Sequence, residues 1–134
     1  MITRFTRIVI EKVKVPERNL NAELMWLSKS LGLVSDRDKD FSCFRLFIEI
    51  IKAAKRQEAL TSDELAFRLN LTRGTVIHHL TKLIGAGLIR VEDNKYTLRE
   101  RNLELTLKKM KHDVLSTYEE LENLGKKIDK KLGF

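Results

Sequence analysis

The sequence predicts a mainly α chain with a small β component. Three observations carry this. Apolar residues recur at helical spacing in several separate stretches. A single pair of short β-prone runs flanks a turn at Glu92-Asp93-Asn94. From Glu100 onward, an apolar seam runs without proline, and without glycine until Gly125.

Residues 1–15 are rich in Ile, Val, Phe and Thr. Ile8-Val9-Ile10, Val13 and Val15 read as a strand, with Arg4, Arg7, Lys12 and Lys14 between them. Pro16 ends it, because proline has no amide to give to a ladder. Asn19 caps a helix whose stripe is Leu20, Leu24, Leu27 and Leu31, and Gly32 stops it. Trp26 beside that stripe is a packing residue. After the polar linker 35–40, Asp40 caps a strongly apolar helix with stripe Phe41, Phe44, Phe47, Ile48, Ile51 and Ala54. Cys43 falls in it and reads as a small buried hydrophobe.

Thr61-Ser62-Asp63-Glu64 is a capping box that opens a short helix with Leu65, Ala66 and Leu69 inside. Asn70 ends it, and Thr72 caps another helix almost at once, with Val76, Leu80, Leu83 and Ile84 inward. Gly85 and Gly87 break that helix. Residues 88–91 and 95–98 then form a hairpin. Two helices joined by Asn70-Leu71-Thr72 make a helix-turn-helix, and the hairpin after the second makes it winged. The last helix carries Leu103, Leu107, Met110, Val114, Thr117, Leu121, Leu124 and Ile128 as a heptad seam, flawed only at Thr117. About 25 helical residues span roughly 37 Å, too long to bury a seam on so small a body. The seam is expected to pair with a second copy; the alternative is folding back on the N-terminal segment.

The expected organisation is therefore a strand-helix extension (1–40), a winged helix-turn-helix (41–99) and a coiled-coil-like dimerisation helix (100–134). Charge separates along these boundaries. The chain has 26 Lys and Arg against 19 Asp and Glu. Residues 41–99 hold 10 basic and 6 acidic side chains, more excess than either flank. A basic middle suits a polyanionic partner. Abundant Lys, Glu, Ile and Leu with one Gln and one Pro lean towards a thermophile. One cysteine precludes an internal disulfide, no apolar run reaches a membrane span, and charges interrupt the first residues where a signal peptide needs an apolar run. A cytoplasmic protein is expected. No nucleophile-base set, phosphate-binding glycine loop or framed carboxylate pair suggests an enzyme.

The stretch Leu71-Thr72-Arg73-Gly74-Thr75-Val76-Ile77-His78-His79-Leu80-Thr81-Lys82-Leu83, followed by Ala86-Gly87-Leu88-Ile89, resembles the recognition helix and first wing strand of ArsR-like winged-helix regulators. MarR-like and archaeal regulators share much of the pattern. The likeness covers about residues 41–100, and the last helix resembles the dimerisation helix of such proteins. The likeness does not extend to residues 1–40. The resemblance implies a homodimeric regulator of transcription that places residues 72–84 in the major groove of double-stranded DNA.

On such a helix Arg73 suits a guanine edge, and Thr72 with the helix N-terminus suits a phosphate. Thr75 or Ile77 suits a thymine methyl; the family commonly has a small polar residue where Ile77 stands. His78, His79 and Lys82 complete the expected contacts, with Arg90 and Lys95 flanking the wing. Arg68 and Arg99 are further phosphate candidates. Glu92 and Asp93 at the wing tip repel phosphate. Adjacent histidines point about 100° apart on a helix, so His78 and His79 make a poor metal pair, and neither metal nor cofactor is expected. A protein-interaction module and a non-specific architectural DNA binder are the alternative functions. The sequence names no effector; residues 1–40 extend the dimer, cover the core or hold an effector site.

Overall fold

A computed structural model describes residues 7–12, 14, 18–35, 37–38 and 40–134. In chain order the elements are α1 (Leu20–Ser30), α2 (Ser42–Lys55), β1 (Leu60–Thr61), α3 (Ser62–Leu69), α4 (Arg73–Gly85), β2 (Ile89–Glu92), β3 (Lys95–Leu98) and α5 (Leu103–Leu132). The winged helix-turn-helix is present, α2 to β3, followed by a long C-terminal helix.

Polar side chains set the helix starts. Asn19 Oδ1 accepts from the Ala22 amide and opens α1. Thr61 and Glu64 form the reciprocal capping box of α3. Asn102 Oδ1 accepts from Leu105 N and opens α5. The cap of α2 departs from expectation. Asp38, not Asp40, does the work: Oδ1 accepts from Ser42 N, and Oδ2 accepts from Cys43 N. Phe41 occupies the N-cap position in the left-handed region, φ 52°, because the loop must turn there to bring Asp38 over the helix end.

The stripe of α2 is also rotated. Cys43, Leu46, Phe47, Ile50 and Ala53 are buried, whereas Phe41 is exposed and Phe44 and Ile48 are half-buried. Arg45, Glu49, Lys52 and Lys55, at i, i+4, i+7 and i+10, mark the outer face of this helix, and a stripe begun at Phe41 sets the phase wrongly. Leu65, Leu69, Val76, Leu80, Leu83, Leu88, Ile89 and Leu98 close the core from α3, α4 and the wing. Arg45 Nη2 donates to Leu69 O at the end of α3, fixing the helix-turn-helix on α2.

The hairpin has the expected strands, but β3 also pairs with β1, giving the antiparallel order β1-β3-β2. Two residues before a capping box are too short a run to read as a strand. The wing turn is tight: Asp93 and Asn94 both have positive φ, 52° and 62°, as a two-residue hairpin turn requires.

The expected N-terminal strand is not formed among the described residues, and part of it (1–6, 13 and 15–17) lies outside them. Instead, Arg7 N donates to Gly85 O and Glu11 N to Ser30 O. The segment spends these amides on the C-terminal ends of α4 and α1, so no ladder is left for it to join. Gly32, at φ 70°, makes this strap possible: a Cβ there would lie 2.9 Å from Val9 Cβ.

Helix α5 is 30 residues long, about 45 Å. It outruns expectation because Gly125 continues it and Gly133, at φ 88°, ends it. Leu103 and Leu107 pack against the core and Met110 is buried; Leu121, Leu124 and Ile128 are exposed.

Candidate nucleic-acid interface

Helix α4 has two faces. Val76, Leu80 and Leu83 are buried, while Arg73, Gly74, Ile77, His78, Thr81 and Lys82 are exposed and Thr75 is half-buried. Thr72 caps it: Thr75 N donates to Thr72 Oγ1, and the Thr72 hydroxyl donates to Thr75 Oγ1 at 2.8 Å. Its first turn holds no acidic residue, unlike that of α3, which carries Asp63 and Glu64. The positive end of its dipole is therefore unneutralised and open to an anion. Arg73 and Lys82 make no ion pair among the described residues, so both charges are available.

Two features of this face escaped the sequence reading. A Cβ on Gly74 would meet nothing within 4 Å, so the backbone is bare there and admits close approach. Thr81 lies on the same face, with its hydroxyl donating to Ile77 O at 2.8 Å. The spacing of residues 74, 77, 78 and 81 was the available signal.

His79 is a correction. It is 8% exposed and faces inward, with Nε2 2.6 Å from Ser42 Oγ. The Ser42 hydroxyl donates to Asp38 Oδ1 at 2.8 Å. A carboxylate only accepts, so Ser42 has one hydrogen to give and must accept from His79 Nε2–H. Nε2 therefore carries a hydrogen, and Nδ1 finds no partner among the described residues. Burial holds His79 below its ordinary pKa, with His78 and Lys82 adding to the effect and Asp38 opposing it. Burial pushes Asp38 up, but hydrogen bonds from Cys43 and Ser42 outweigh it and hold the carboxyl low. His79 thus locks α4 to the start of α2 instead of reaching outward. Buried Cys43 beside it has its thiol pushed up to about 11, mainly by burial, and is inert.

The wing charges divide. Arg90 is exposed and its Nη1 sits 2.6 Å from Glu92 Oε2, a weak pair in solvent. Lys95 is exposed opposite Glu92 in the ladder. Arg68 is held by Glu49 at 3.4 Å and Glu64 at 3.9 Å. Arg99 is turned inward: its side chain is 10% exposed and Nη2 lies 2.5 Å from Asp113 of α5. Arg68 is thus engaged by two carboxylates, and Arg99 faces α5 instead of taking the expected phosphate role. Thr72, Arg73, Thr75, Ile77, His78 and Lys82 share the outer side of α4, whereas Arg90 and Lys95 stand apart on the wing. Among the described residues no group of three His, Cys, Asp or Glu side chains fits a metal ion. No described helix is long and apolar enough to cross a membrane.

Comparison with known proteins agrees with this geometry. Residues 48–91 match the model of the bacterial regulatory protein, arsR family, from the middle of α2 through most of β2. Neither the curated proteins nor the solved structures contain a match to this chain. The matched segment contains both helices of the helix-turn-helix and the first wing strand. Residues 48–91 are thus similar to the helix-turn-helix domain of arsR-family bacterial regulatory proteins.

Proposed function

We propose that the protein binds double-stranded DNA sequence-specifically as a homodimer, in the cytoplasm where its operators are. The observation that carries this is the outer face of α4. A basic, acid-free helix start is followed by exposed Gly74, Ile77, His78 and Thr81, a surface that suits a major groove. Arg73 takes a guanine edge, Thr72 and the helix N-terminus hold a phosphate, and Thr75 or Ile77 meets a thymine methyl. His78 and Lys82 add contacts further along. Arg90 and Lys95 reach the backbone beside the wing. Pairing of the exposed distal seam of α5, Leu121, Leu124 and Ile128, sets two α4 helices against half-sites about 34 Å apart.

Fluorescence anisotropy on genomic duplexes, across a salt series with competitor, tests the proposal. Tight, competitor-resistant binding to a few duplexes with a steep salt slope is the expected result. Arg73→Ala weakens that binding by about 1–3 kcal/mol and relaxes preference at one base pair. Equal loss on every sequence makes Arg73 a phosphate clamp, and binding to all duplexes alike makes the protein architectural. One observation favours a second reading. Phe67 on α3 is 89% exposed, an apolar side chain open to a protein partner. Absence of DNA binding even at low salt, with Phe67→Ser abolishing capture of a partner, carries that reading.

A further inference from the structure

An open groove of about 1280 Å³ lies between the end of α2, the wing strands and the start of α5, and no residue of α4 lines it. Its apolar floor includes Ile51, Ala54, Leu98 and Leu103. Four cations line it, Lys55, Arg90, Arg99 and Arg101, against two carboxylates, Glu58 and Glu100. These charges are not equivalent. Arg90 pairs with Glu92 at the surface, and Glu58 with Arg56. Lys55 and Arg101 have no ion pair among the described residues.

Arg99 is the telling group. Its side chain is nine-tenths buried and Nη2 contacts Asp113, yet Nη1 is buried without a hydrogen-bond partner among the described residues. A guanidinium has five donors, and an idle one inside a protein is costly. A second, shallower hollow of about 290 Å³ continues from Glu100 and Leu105 past Lys108, Lys109 and His112, extending the basic rim.

We infer that this groove is a binding site for an amphipathic organic anion, its apolar part on Ile51, Ala54 and Leu103 and its carboxylate between Arg99, Arg101 and Lys55. Apolar floor and cationic rim together select for both halves of such a molecule: a bare anion loses the floor, and a neutral amphiphile loses the arginines. The site joins α2, the wing and α5, the elements that orient the wing on the long helix, so an occupant would act on the regulator away from its DNA-facing helix. The inference goes beyond the DNA-binding proposal and is read on the protein alone.

The test titrates the full chain with octanoate, n-octanol and acetate, following backbone amide shifts by NMR. Octanoate is expected to saturate, with shifts confined to residues 51–59 and 97–105. Octanol and acetate bind at least about tenfold more weakly, and Arg101→Gln weakens octanoate by about tenfold, the scale of one charge-assisted hydrogen bond. Arg101 makes no ion pair among the described residues, so its variant keeps the fold and the test stays readable where Arg99→Gln would disturb Asp113. Octanol binding as tightly as octanoate, shifts on residues 115–132 instead, an unaffected Arg101→Gln, or no saturation each overturn the site.

Discussion

The two halves of α5 share one seam and one helix, yet they live in different surroundings. Leu103, Leu107 and Met110 are packed onto the winged domain of their own chain, whereas Leu121, Leu124 and Ile128 stand in solvent with Leu115, Tyr118 and Leu132. The helix is about 45 Å long and the domain is not. The difference teaches that an apolar period states which face must be covered and is silent about what covers it. In the near half the cover is the domain. In the far half it is proposed to be a second copy.

The sharpest way to break the comparison is a charge in each half. Met110→Asp buries an unpaired carboxylate and is expected to cost about 3–5 kcal/mol, read by chemical denaturation. Leu121→Asp is expected to leave the winged domain folded, with unchanged near-ultraviolet dichroism, and to convert the dimer to monomer in light scattering. A Leu121→Asp protein that still scatters as a dimer removes the distal seam as the interface.

The domain also holds a titratable interior that the distal helix lacks. His79 has its pKa held below the ordinary 6.5 by burial, so the unfolded chain binds more protons than the folded one as pH falls below 6.5. His79 stability is thus present above pH 6.5 and is lost as pH falls through the folded value; Asp38, also held low, adds a loss of the same sign below its ordinary 3.8. Thermal unfolding of the wild type between pH 7.5 and pH 5, on either side of the ordinary histidine value of 6.5, is expected to show a falling midpoint. His79→Gln is expected to flatten that slope while lowering the midpoint at pH 7.5. An unflattened slope places the sensitive proton elsewhere.

The smallest effect belongs to the far half. Gly125 sits inside α5 with nothing within 4 Å of a built Cβ, so Gly125→Ala is expected to stabilise the helix by about 0.5–1 kcal/mol, seen as higher midpoint ellipticity. If the same change weakens the dimer, the partner helix approaches closely at residue 125, which refines where the seam lies.

The order of elements was readable because local chemistry states it. Thr61 with Glu64, Thr72 and Asn102 satisfy amides within their own first turns, and Asn70 and Gly133 end helices by adopting positive φ. The motif from Leu71 to Ile89, and the outward position of Arg73, Ile77, His78 and Lys82, follow from the same short-range rules. Thr81 and the bare backbone at Gly74 were accessible to that reasoning once the inward stripe was known.

Long-range pairing decided the rest. The capping of α2 by Asp38 depended on a loop that turns through Phe41, and β1 exists because β3 passes beside it. His79 turned inward because Ser42 and Asp38, 37 and 41 positions earlier in the chain, offered its ring a hydrogen bond. The N-terminal segment became a strap because carbonyls at the ends of α1 and α4 accepted its amides. Caps and turns involve neighbours a few residues apart, so the chain carries their outcome locally. A buried hydrogen bond depends on what arrives from elsewhere, and that becomes definite only in the packed molecule.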